Sequence, residues 1–158
     1  MTELSSIFLT IVASLNIGVV FFVYWRRPRD ATSTAFALLA IFLCFWSLAI
    51  LLFSLATNSI TSLYLMKLSY VAALLLSVSF YYFAISFPGN KRPSKPHSIA
   101  MYVITSLLTL LILIPGFLTR EVAFHPWGKE VILNSVHYSI FLFVFVYFFV
   151  GGHIVLWW

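Results

Sequence analysis

Five long apolar runs, separated by short charged or turn-forming segments, leave this chain one solvent in which it can fold. Only 8% of its 158 residues are charged, and those charges fall almost entirely between the runs. A run of about 20 apolar residues crosses a bilayer as a helix, because a helix satisfies its own backbone N–H and C=O groups where no water can. With 63% hydrophobic residues, 19% aromatic residues and a mean hydropathy of +1.07, the chain reads as all-α, a polytopic transmembrane helix bundle of five spans. The spans are expected at about 4–25, 34–56, 62–87, 99–118 and 135–158.

The first run reads as a retained span. Only Glu3 is charged ahead of it, whereas Arg26, Arg27 and Arg29 follow it, the reverse of a secretory signal. Thr57, Asn58 and Ser59 supply a tight polar turn, and the stretch from Pro88 to His97 carries three prolines and a glycine that no helix interior tolerates. Pro115 and Gly116 are expected to unwind or kink the last turn of the fourth run, with Thr119 to Asn134 forming a polar connection. Arg26, Arg27, Arg29, Lys91, Arg92 and Lys95 crowd the first and third connections, the second has no lysine or arginine, and the fourth has only Arg120 and Lys129. The positive-inside rule then places the N-terminus outside and the C-terminus in the cytoplasm, with the protein a multi-pass component of the plasma membrane.

Several function classes fall away. The net charge of +5 borders membrane spans, so it reflects topology and points to no nucleic acid. Cys44 is the single cysteine and sits inside a span, which rules out an intrachain disulfide. There is no phosphate-cradling Gly-Lys-Ser/Thr loop, no Gly-x-Gly-x-x-Gly and no His-Glu-x-x-His, and Asp30 is the only aspartate, so no catalytic residue and no cofactor is expected. His125 and His137, with Glu121 and Glu130 nearby in sequence, match no standard metal spacing, and no metal site is expected. The span interiors hold no carboxylate for a proton relay, which disfavours transport.

Small residues at helical spacing are expected to seat helix against helix: Ser6, Thr10, Ser14 and Gly18 on the first span, Ala37, Ala40, Cys44 and Ser47 on the second, Ser69, Ala73 and Ser77 on the third. Asn16 and Trp46 carry polar groups deep in their spans and are expected to bond across helices. Lys67 lies about 7.5 Å into the third span, shallow enough for its ammonium to snorkel to the outer interface. On the fifth span Phe141, Phe143, Phe145, Phe148 and Phe149 surround Tyr147, a bulky surface suited to lipid, to a partner helix or to an apolar pocket.

Ala35–Phe36, Phe45–Trp46–Ser47–Leu48, Lys67–Leu68 with Tyr70, and Phe80 to Ala84 leading to Phe87–Pro88–Gly89 before a basic loop form an ordered series. With it, nearly the whole chain resembles the N-terminal seven-transmembrane region of bacterial sensor histidine kinases. That resemblance implies a sensory input that passes a conformational change to a cytoplasmic histidine kinase, or sometimes to a nucleotide-cyclising domain, and it implies a homodimer. Five spans stand where the family has seven, and the chain closes on Leu156, Trp157 and Trp158 without a basic boundary, so residues 1–158 are expected to be the sensory part of a longer protein.

The outer connections are too short to build a domain with its own core, so any stimulus must be small or membrane-borne. A small, largely apolar ligand, or a partner in the lipid bilayer, is expected to touch Trp46, Lys67, Tyr70, Trp127 and His137 and to shift helix packing. Two other classes stay open. A transporter fragment predicts further spans carrying carboxylates or an internal repeat; a structural subunit of a membrane complex predicts an open reading frame that stops near Trp158 and a copurifying partner.

Overall fold

The computed structural model describes residues 3–26, 30–87, 93–126 and 128–157, and places five helices and one hairpin on them. The helices are α1 (Glu3–Arg26), α2 (Ala31–Leu55), α3 (Ser59–Ser86), α4 (Lys95–Leu113) and α5 (Ser135–Trp157). By length and apolarity α2, α3, α4 and α5 can each cross a membrane, while the apolar stretch of α1, Thr10–Phe22, is shorter. Arg27, Arg29, Lys91, Arg92, Trp127 and Trp158 lie outside the described residues.

Local chemistry sets the helix ends. Asp30 caps α2 by accepting from the Ser33 N–H, so that helix starts three residues ahead of the expected Thr34. Asn58 does the same for α3 through the Ile60 N–H at 2.8 Å. The fourth helix does not reach Leu118 as expected. Pro115 forces Ile114 into an extended conformation (ψ 132°), and Gly116 then turns the chain with φ 75°, so α4 stops at Leu113.

The described residues are mostly helical, consistent with the expected all-α bundle, and the connection between α4 and α5 adds a short hairpin. The expected polar connection is an antiparallel hairpin of β1 (Thr119–His125) and β2 (Gly128–Leu133), with Val122 facing Val131 and Phe124 facing Lys129. Gly128 takes φ 142° where the chain reverses. Ser59 at the start of α3 donates to the Val122 carbonyl at 3.1 Å, which ties the hairpin to the bundle.

Helix α3 is the hub: α2, α4, α5 and β1 all pack on it, and α1 packs on α2. Val71 and Leu74 of α3, Leu108 and Ile112 of α4, and Phe141 of α5 form the core below the hairpin, and Val78, Met101 and Phe148 continue it toward the opposite end. Ser77 and Ser69 are buried as the small-residue ladder requires, and so are Ala40, Cys44 and Ser47 on α2. The α1 stripe is different: Thr10, Ser14 and Gly18 are exposed, a Cβ at Gly18 would meet nothing, and the Ser6 side chain lies outside the described residues. Asn16 does not bridge helices either, since its amide donates to the Val12 carbonyl of its own helix at 2.7 Å.

Candidate functional site

Two helices run toward the hairpin and end there, α2 and α4. The last carbonyls of a helix point outward without intrahelical partners and carry the negative end of its dipole, so a cation placed there caps the helix. Each of these helices has one. The Lys129 ammonium, from β2, donates to the Phe53 and Ser54 carbonyls of α2, the latter at 3.1 Å, and sits 4.9 Å from the Phe53 ring. The Lys67 ammonium, from α3, donates to the carbonyl of Leu113, the last residue of α4, and to that of Ile114 just beyond it, at 3.1 and 3.2 Å. Lys67 is 1% exposed, which overturns the snorkelling expectation: its side chain turns inward to the Leu113 carbonyl and to the Ile114 carbonyl, which also accepts from the Phe117 N–H at 3.3 Å.

Burial holds the Lys129 ammonium below the ordinary lysine value of 10.5. Between the lowered value and the ordinary one, the unfolded chain binds more protons than the folded chain, so stability rises with pH across that window. The melting temperature is expected to gain from this group as the pH approaches 10.5, and Lys129→Met is expected to lose that gain. Parallel pH profiles for the parent and the variant would contradict it.

Beneath the hairpin, a groove of about 370 Å³ runs between α2, α3 and α5. Trp46, Ile50 and Phe53 line it from α2, and Met66, Ser69, Tyr70 and Ala73 from α3. From α5 come Tyr138, Phe141, Leu142 and Phe145. The Tyr70 ring meets Tyr138 edge-on at 6.2 Å and Phe141 at 5.3 Å, a packed aromatic wall. None of these side chains is a carboxylate, an amine, a guanidinium or an imidazole.

Of the five residues singled out by sequence, Trp46 and Tyr70 meet in this groove. Lys67 does not line it. His137 stacks on Phe117 at 4.1 Å, with its Nδ1 buried and without a partner among the described residues. Trp127 falls outside the described residues. Tyr138 is not among the five, although it precedes Phe141 and Phe145 by three and seven residues, the spacing of one helical face. The aromatic run of α5 divides by face: Phe141 and Phe148 are core, Phe145 lines the groove, and Phe143 and Tyr147 point outward.

A second groove, about 460 Å³ between α1 and α2, is lined by residues such as Ile17, Phe21, Ile41 and Phe45, and Cys44 supplies its only heteroatom side chain. On the hairpin, His125 pairs with Glu130 at 3.0 Å, and no group of three or more His, Cys, Asp or Glu able to hold a metal occurs among the described residues. The family model described as the N-terminal 7TM region of histidine kinase matches residues 8–158. No curated protein matches the chain.

Proposed function

The chain belongs to the family of N-terminal 7TM regions of histidine kinases, and from that premise we propose that its bundle receives a small, largely apolar ligand and passes the resulting change in helix packing to a cytoplasmic kinase. The family places the protein in a lipid bilayer as an integral, multi-pass sensory input of a kinase, a region that performs no catalysis itself. One observation supports the finer reading most: the groove between α2, α3 and α5 gathers Trp46 and Tyr70 at the level where Lys129 and Lys67 pin the ends of α2 and α4. A ligand wedged there contacts three helices at once, so its affinity differs between packings of those helices, as any signal requires. In this reading the hairpin faces outward and the basic connections face the cytoplasm of a plasma membrane, and the chain works as a homodimer.

Ala73 lines the groove, so Ala73→Phe fills part of it. In the full-length parent kinase, this variant is expected to change basal autophosphorylation by about fivefold, the low end of ordinary coupling between sites, and to stop responding to further stimulus. Unchanged basal activity and an intact response would remove the groove from signalling.

A further inference from the structure

A hydrogen-bond donor without a partner is costly in hydrocarbon, so donors left open in a membrane-embedded groove indicate what the groove receives. The Ser69 hydroxyl is already satisfied, donating to the Met66 carbonyl at 2.7 Å. The Tyr70 and Tyr138 hydroxyls and the Trp46 indole N–H have no hydrogen-bond partner among the described residues. None of the three is among the buried polar atoms sealed off without a partner, and all three residues line the groove. The indole N–H only donates, and each phenol brings one further proton, so the groove offers three donors against lining that is otherwise apolar. With no charged side chain in the lining, an ion would be desolvated without compensation.

We propose that the groove selects an uncharged, mainly apolar molecule carrying an acceptor oxygen, of the ketone or ester carbonyl type, which Tyr70 and Tyr138 grip by hydrogen bonds while the aromatic wall packs its hydrocarbon. The volume of about 370 Å³ lies at the small end of ligand pockets, which suits a medium-chain molecule more than a phospholipid. The larger α1–α2 groove has no such donors and makes no such choice. This specificity rests on the groove being the sensory site.

The test uses the protein in lipid nanodiscs with two photoreactive probes, a medium-chain methyl ketone bearing a terminal diazirine and the matched alkane bearing the same group. Labelled positions are mapped by mass spectrometry. The ketone is expected to label the segments around Tyr70 and Tyr138 saturably, at about tenfold lower concentration than the alkane. In the Tyr70→Phe/Tyr138→Phe double variant the ketone falls to the alkane's level while the alkane is unchanged. Tyr102→Phe, on an exposed α4 position, leaves both as they were. Equal half-saturation of ketone and alkane overturns acceptor recognition but leaves the groove standing as a binding site. Labelling by both that never saturates overturns the groove reading itself, and the specificity with it.

Discussion

Lys67→Met is expected to destabilise the bundle by about 3 kcal/mol, the loss of two charge-assisted hydrogen bonds, after which the Ile114 carbonyl keeps only the Phe117 N–H. Methionine keeps most of the length and volume of lysine, so packing around the 1% exposed side chain changes little and the cap is the main thing removed. An opposing term exists, because burying an ammonium costs several kcal/mol that methionine would not incur. The cap outweighs it here: the Leu113 and Ile114 carbonyls, the α4 dipole and the Tyr64 ring at 5.7 Å all face the one cation. Lys67→Gln retains a donor and is expected to lose less than Lys67→Met. Denaturation of the detergent-solubilised protein reads both, and hydrogen exchange should quicken first at the end of α4. A methionine variant as stable as the parent would mean that desolvation of the ammonium exceeds what the cap returns.

Gly152→Leu is expected to cost about 3 kcal/mol by overpacking the crossing of α3 and α5. A Cβ built at Gly152 would stand 2.7 Å from the Phe80 ring and 3.4 Å from the Tyr81 backbone, so even alanine forces a shift. The Phe80 ring has little room to yield, because Phe149 lies 5.3 Å and His153 4.8 Å away, centre to centre. At Gly151 the nearest atom is a Tyr81 ring carbon at 3.1 Å, so Gly151→Ala is expected to cost less than Gly152→Ala. Combining Gly152→Ala with Phe80→Ala should be less damaging than the two single losses added together, since removing the ring makes room for the methyl group. Strict additivity of the pair would show that Phe80 is not the obstacle.

The helices were legible because the length of an apolar run is itself the signal in a bilayer, whereas what lies between and across them depends on face. The Thr119–Leu133 hairpin reads as polar because Arg120, Glu121, Lys129 and Glu130 mask the hydrophobic residues Val122, Phe124, Val131 and Leu133. Depth alone said how far along α3 Lys67 lies and nothing about which way it points. Its helical face was in the sequence all the same: Lys67, Val71, Leu74 and Val78 recur at helical spacing, and the last three are core. The stripe on α1 shows the converse, since Ser14 and Gly18 have the right spacing for a helix contact but stand exposed. Trp46 and Tyr70 could be picked out as polar-tipped aromatics within spans, but that they share one groove with Tyr138 is a fact of tertiary packing.

Occupancy of the groove is expected to move α2 relative to α5. Spin labels at Leu38→Cys on α2 and Ile154→Cys on α5, both exposed positions, report that separation by pulsed electron resonance in a Cys44→Ala background in nanodiscs. Saturation with the methyl ketone probe is expected to shift the distance distribution by about 2 Å, the scale of helix displacement in switching proteins, and Ala73→Phe should reproduce the shift without probe. Superimposable distributions with the groove empty, occupied and filled by phenylalanine would contradict it.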